Sequence, residues 1–285
     1  MKVCIIGVGL IGGSFALDIK AGYKDTAIYG IDTDEDHIQQ ALERQLIDEK
    51  ATFDQLEAAD VVFVAIPVNA IIKVLPEVLD RVADDTLVID TGSTKALICE
   101  TVARHPKRRN FLAAHPISGT EFSGPAAAHR GLYQQKTNII CEVEKTAFKL
   151  QERAFDIFNR LGMRIRYMDP GSHDKHIAYV SHLSHISAFM LGKTVMEKEK
   201  NERDIFDLAG SGFESTVRLA KSSPAMWTPI FEQNRENVLE TLDEYIANLQ
   251  EFRRLMADND FKALYNEMAH TNAIKAILNG MISTS

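Results

Sequence analysis

Gly7-Val8-Gly9-Leu10-Ile11-Gly12 follows the apolar run 3–6 and opens a helical pattern over 14–21 that Gly22 closes. Glycines at the first, third and sixth positions of such a turn let the chain bend sharply and bring its backbone close to a bound group. The helix behind them points its free N–H groups at an anion such as a pyrophosphate. Asp32 stands twenty residues after Gly12, at the end of a second apolar run, 27–31. In that register a carboxylate accepts hydrogen bonds from both hydroxyls of an adenosine ribose and repels a 2′-phosphate. Gly7, Gly9, Leu10, Ile11, Gly12 and Asp32 are therefore the candidate cofactor residues, with NAD expected in preference to NADP. A glycine turn at the head of an ordinary helix is the plainer account; strand, glycines and acid falling in register argue against it.

Further strand candidates follow at 61–66, 87–90, 111–114, 138–142 and 164–168, separated by helical stretches. Several are continuous apolar runs, as strands buried on both faces of a mostly parallel sheet require. The expected fold class is α/β, a Rossmann-like doubly wound sheet over residues 1–170. After Asp169-Pro170-Gly171 the pattern changes, and an all-helical domain is expected over 171–285. Its helices are predicted at 173–200, 214–220, 226–256 and 261–278, the last capped by Asp258-Asn259-Asp260. In the third, Trp227, Ile230, Phe231, Val238, Leu242, Tyr245, Ile246, Leu249, Phe252 and Met256 recur mostly at steps of three and four. That stripe is longer than so small a domain covers alone, and it predicts a homodimer through the helical half.

Composition narrows the class of partner. The 285 residues are 45% hydrophobic and 25% charged, as in a water-soluble globular protein. A net charge of −8 argues against nucleic acid or an anionic membrane, both of which need a basic field. Cys4, Cys99 and Cys141 cannot pair off and lack metal-ligand spacing, which suits a reducing cytoplasm. The N-terminal apolar run gives way at once to glycines and reads as a strand, not a signal peptide. No apolar run approaches membrane-spanning length.

Open α/β sheets bind ligands beyond the carboxyl ends of their strands. Besides Asp32, three segments fall there: Ala65-Ile66-Pro67, Asp90-Thr91-Gly92-Ser93-Thr94-Lys95, and His115-Pro116 leading into 117–124. A histidine in that place stands where hydride chemistry needs a base; a surface histidine is the competing account. The helical half is dense in histidine, with His173, His176, His182 and His185. His182 and His185 are three apart and share a helix face. Such a pair suits a metal, polar packing between domains, or anion binding. The metal reading lacks acidic and cysteine partners at matching spacing, since Asp174 and Glu197 fit poorly. Arg218, after the turn Gly210-Ser211-Gly212-Phe213, favours the anion, because a guanidinium grips a carboxylate bidentately.

In chain order, GVGLIGGS, DTGSTK, AHPISGTEFSG, SHLSH and GSGFESTVRLA resemble the prephenate and arogenate dehydrogenases over nearly the whole chain. The glycine motif is common to many families, whereas AHPISGTEFSG and the SHLSH to GSGFESTVRLA spacing are specific. Ser184 departs from the proline that the family often has within SHLPH, and leaves both histidines in place. The resemblance implies a nucleotide-binding domain, a helical dimerisation domain, and the monofunctional form without an attached mutase or regulatory domain. It implies that His115 is the catalytic histidine bonded to the ring 4-hydroxyl and that Ser93 lies near that hydroxyl and the nicotinamide. Arg218 would bind a substrate carboxylate, His182 and His185 would line the pocket, and Glu121 and Trp227 would stand at its mouth.

The implied substrate is a small dianion, prephenate or arogenate, and no residue decides between the two side chains. The chemistry needs a neutral base near pH 7, a carboxylate grip and no metal. A 3-hydroxyacid dehydrogenase is the nearest rival, but it wants a glycine-flanked lysine, and only Lys193 is available on the first helix of that half. A non-catalytic NAD-binding sensor is the rival from another class, and it leaves His115, His185 and Arg218 unexplained.

Overall fold

The computed structural model describes residues 1–200 and 205–283. They form two compact units, Met1–Val238 and Leu239–Ser285. In the first, β1 (Lys2–Ile6), β2 (Ala27–Ile31), β3 (Glu49–Lys50), β4 (Val61–Val64), β5 (Leu87–Asp90), β6 (Phe111–Pro116), β7 (Thr137–Cys141) and β8 (Arg164–Met168) make one sheet. Its order is β3-β2-β1-β4-β5-β6-β7-β8. All neighbours run parallel except β6 and β7, where His115 lies opposite Ile139. The winding reverses direction between β1 and β4, so the loops leaving their carboxyl ends part and open a crevice. β3 is two charged, exposed residues on the sheet edge, which carry no apolar signal in the sequence.

Strand alternation sends side chains to two faces, and both are covered. The helices between strands are α1 (Leu10–Gly22), α2 (Glu35–Glu43), α3 (Val68–Arg81), α4 (Ala96–Thr101) and α5 (Phe148–Arg160). Val3, Ile5, Val61, Phe63, Leu87 and Ile89 pack with Phe15 and Ile19 of α1 and Ile157 and Phe158 of α5. Cys4, Ile6, Val62, Val64 and Val88 pack on the other side with Leu75, Val78 and Leu79 of α3 and Ile98 of α4. Each such residue, fully removed from water, stabilises the fold by roughly 1.5–3 kcal/mol against leaving it exposed. Continuous apolar strands follow from this burial on both faces.

The helical elements after the sheet are α6 (Pro170–Ile177), a π-type turn (Ala178–His182), α7 (Leu183–Glu199), α8 (Ser211–Val217), a 3₁₀ turn (Arg218–Lys221), α9 (Pro224–Gln233), α10 (Arg235–Ala257), α11 (Phe261–Thr271) and α12 (Ile274–Ser283). Asp169 caps α6 by accepting the N–H groups of Gly171 and Ser172, with Pro170 as its first residue. Three helices expected to be continuous are interrupted. The one over 173–200 contains the π turn, the one over 226–256 breaks at Asn234, and the one over 261–278 breaks between Thr271 and Ile274. Asn234 stands at the second of these, where its amide donates to the Asp174 carbonyl and to His182 Nδ1, so it is turned inward against α6 and the π turn. In the second unit, Ile246, Leu249, Phe252 and Met256 of α10 remain exposed along the predicted stripe. Among the described residues no helix is long and apolar enough to cross a membrane.

Candidate active site

The glycine turn joins β1 to α1 at the crevice. Gly7 has φ +91°, and a Cβ there would sit 2.3 Å from the Ala65 carbonyl oxygen. At Gly12 a Cβ would sit 2.0 Å from the Gly7 oxygen, so this glycine lets helix and strand close on each other. Gly9, at the N-cap of α1, differs: a Cβ there would meet only the Gly124 backbone, at 3.9 Å. On the other side of this gap a Cβ on Gly124 would meet only His37 Nε2, at 3.8 Å, and α1 begins without a side-chain cap on its N–H groups. Leu10 is buried under the turn and Ile11 is half-buried. Asp32 accepts the Val8 N–H at 3.0 Å through Oδ2 and the Asp34 N–H at 3.0 Å through Oδ1. It is thereby tied to the glycine turn itself. A pyrophosphate over the turn and a ribose at Asp32 fit these residues.

Beyond β5 and β6 lies a buried polar knot. The Lys95 ammonium, fully buried, pairs with the Asp90 carboxylate and donates to the Ala114 carbonyl at 2.7 Å. Asp90 also accepts the N–H groups of Gly92 and Ala114 at 3.0 and 3.1 Å. The loop carrying Ser93 is therefore fixed at both sides of that residue, and Ser93 itself is half-buried. Next to this knot, at the carboxyl end of β6, His115 is 8% exposed and its Nδ1 lies 2.8 Å from Nε2 of His173. His173 Nδ1 lies 2.7 Å from Asp174 Oδ1. Burial, reinforced by His173, Lys95 and His182, holds the His115 imidazolium well below the usual histidine range, so the ring is neutral at pH 7.

His182 and His185 come from the π turn and the first turn of α7. His182 is 1% exposed, and burial lowers its pKa to about 4. His185 stacks on Trp227 with ring centroids 3.6 Å apart, and burial lowers its pKa as well. Trp227 meets His182 edge-on at 5.8 Å. His182 Nε2, Trp227 Nε1, Gln233 Nε2 and the Ser118 hydroxyl are buried without hydrogen-bond partners. Groups of this kind are costly unless a ligand or water completes them. Arg218 Nη1 lies 2.7 Å from a Glu121 oxygen, which brings the helical half to the loop after β6. The Glu121 carboxyl is held below the usual range by its own backbone N–H and then by Arg218. A cleft of about 770 Å³ runs along Thr120–Ser123, Ala126, Ala127 and His129.

Comparison with known proteins decides the family. The family described as the prephenate dehydrogenase nucleotide-binding domain matches residues 15–167, more than half of the chain. Its dimerization domain matches 169–270. The chain belongs to the prephenate dehydrogenase family. A prephenate dehydrogenase of Bacillus subtilis is 30% identical over 267 residues, covering 92% of this chain and 72% of that protein. The crystal structure of prephenate dehydrogenase from Aquifex aeolicus, in complex with hydroxyphenyl propionate and NAD+, superposes with a TM-score of 0.88. It is 30% identical and covers 98% of each chain. Synechocystis arogenate dehydrogenase superposes with a TM-score of 0.77 at 25% identity, covering 98% of this chain and all of that one.

Within this prephenate dehydrogenase fold, His173 and Asp174 are the residues that the sequence reading undervalued. They stood there among packing histidines and as a poor metal partner, because the contact of His173 to His115 spans 58 residues of sequence. The adjacent His-Asp pair just inside the first helix after the sheet is the signal that could have flagged them. Lys193, the lysine that a 3-hydroxyacid dehydrogenase would need, is 61% exposed and 3.8 Å from Glu197. It is a solvated ion pair.

Proposed function

We propose that this chain oxidatively decarboxylates prephenate to 4-hydroxyphenylpyruvate with NAD, the tyrosine-forming branch of aromatic biosynthesis. The observation that carries the reading is His115: a neutral, buried imidazole at a strand end of a nucleotide-binding sheet. Gly7, Gly9, Gly12, Leu10, Ile11 and Asp32 would hold the dinucleotide, which when bound accepts the hydride from ring carbon C4. As that hydride leaves, the 4-hydroxyl proton passes to His115 Nε2 and the C4–O bond becomes a carbonyl. The bond from the ring to its carboxylate then breaks, carbon dioxide departs, and the electron pair completes the aromatic ring. The resulting phenolate takes its proton back, so His115 ends as it began. Ser93 would hold the same hydroxyl. Arg218 would grip the remaining carboxylate, with His182 and His185 lining the pocket and Glu121 at its mouth; Trp227, expected at the mouth, is buried behind His185 and would back the pocket instead.

Arogenate is the second reading, favoured by the likeness to the Synechocystis arogenate dehydrogenase. Steady-state kcat/KM on both substrates, followed by NADH formation, decides between them; turnover of neither would refute the reading. The proposed domain boundary is near residue 170, a division supported by the two family matches on either side of it. A homodimer through the helical half is proposed because the exposed apolar residues of α10 lie within the matched dimerization domain. Sedimentation at micromolar concentration should give twice the chain mass; a fully active monomer would refute it.

A further inference from the structure

We propose that Asp174, acting through His173 and Asn234, sets the two pocket histidines in opposite hydrogen-bonding states. His115 is held with a bare Nε2 that accepts a proton, and His182 with an Nε2–H that donates to a substrate oxygen. The proposal rests on the reading of His115 as the proton acceptor. His173, Asp174 and Asn234 are positioning residues in it.

The assignment follows from which atoms can only donate. The Asp174 carboxylate accepts the backbone N–H of Lys95 at 2.7 Å through Oδ1 and that of Ala96 at 2.9 Å through Oδ2. With its oxygens turned to donors, it meets His173 Nδ1 at 2.7 Å as an acceptor, so His173 Nδ1 carries the hydrogen. With that hydrogen on Nδ1, His173 turns its Nε2 lone pair to His115 Nδ1, 2.8 Å away, which donates to it. The one hydrogen of a neutral His115 is thereby placed on Nδ1, and Nε2 is bare. All three side chains are buried, and water cannot compensate the opposite arrangement.

The other branch starts from the same residue. Asn234 Oδ1 accepts from Asn237 at 2.7 Å, which turns its Nδ2 toward the Asp174 carbonyl at 2.7 Å and His182 Nδ1 at 3.2 Å. His182 Nδ1 therefore accepts, and its hydrogen is on Nε2, which is buried without a partner. A buried donor of this kind recognises a carboxylate or keto oxygen and would repel an ammonium group.

The direct test is long-range ¹H–¹⁵N spectroscopy of histidine-labelled protein at neutral pH, with His115→Asn and His182→Asn to assign the signals. The expected result is His115 protonated at Nδ1 and His182 protonated at Nε2; the same tautomer at both, or the reverse, overturns the proposal. The kinetic test is His173→Phe, which removes the acceptor for His115 Nδ1–H. Its kcat should fall roughly 10- to 100-fold while the substrate KM stays within about three-fold. His173→Gln, which restores an acceptor oxygen, should recover a large part of the loss. A His173→Phe enzyme with near-native kcat, a loss confined to KM, or a Gln variant no better than Phe overturns it. Should these variants fail to fold, the wild-type spectra decide alone. If His115→Asn retains full activity, the proposed chemistry fails while the tautomer measurement still stands on its own.

Discussion

The guanidinium of Arg218 lies 2.7 Å from the Glu121 carboxylate, across 97 residues of sequence. Arg218 remains half exposed, so its ion pair with Glu121 is screened by water and contributes little to stability. Its proposed task is therefore separable from bracing. Arg218→Ala should raise the substrate KM roughly ten- to hundred-fold, the scale of one charge-assisted grip, and leave kcat within a few-fold. Lys should recover only part, lacking the planar fork. Steady-state kinetics and a melting curve on one preparation check this: an unchanged KM with a lowered Tm would assign Arg218 to bracing.

His115 is held neutral by burial. A base with a lowered pKa is competent above that pKa and loses competence as the pH falls through it. The acid limb of kcat should therefore lie well below the ordinary histidine value of 6.5. His115→Asn should lower kcat by roughly 10²–10⁴ and abolish that limb, with KM changed much less. A variant with near-native kcat would move the base elsewhere.

The glycines of the turn separate folding from cofactor binding. Gly12→Ala places a methyl group against the Gly7 carbonyl and must displace backbone, so both Tm and NAD binding should fall. Gly9→Ala meets no protein atom closer than 3.9 Å, and as a poor helix cap should cost only about 1 kcal/mol or less. It narrows the gap to Gly124, and NAD affinity should drop by well over its effect on stability. Urea unfolding and NAD titration of both variants test this, and equal losses at the two positions would show that the gap is not the nucleotide path.

How much of this was legible follows from where each signal is written. The parallel sheet was readable because its strands are buried on two faces, and the run 61–64 declares that in four consecutive apolar residues. The glycine turn and Asp32 were readable because their geometry is local. The two-residue β3 was not, since Glu49 and Lys50 on an edge need no apolar pattern. Helix continuity over 226–256 failed for a different reason: apolar spacing records which face is buried, whereas the break at Asn234 comes where its amide bonds Asp174 and His182, which lie far off in sequence. His173 was hidden likewise. Its chemistry comes from His115 on one side and Asp174 on the other, a relation that only the folded chain creates.

His182 supplies the last test, on stability. Its pKa is lowered from 6.5 to about 4 by burial, so the folded state keeps the ring neutral while the unfolded chain protonates it. Between those values the unfolded state binds more protons, and stability rises with pH; it is lost as the pH falls from 6.5 toward 4 and the slope ends below. At about 1.4 kcal/mol per pH unit, His182 alone removes about 3 kcal/mol across that window. His115 acts in the same direction. A difference measurement isolates the one residue. His182→Asn is neutral in both states, so the variant loses its packing and hydrogen bond at every pH but not the proton-linked part. The stability gap between wild type and variant should therefore be largest at pH 7 and shrink steadily by pH 4.5. Urea unfolding at pH 7, 5.5 and 4.5 reads this directly, and a gap that stays constant would mean that His182 is not held neutral by its burial.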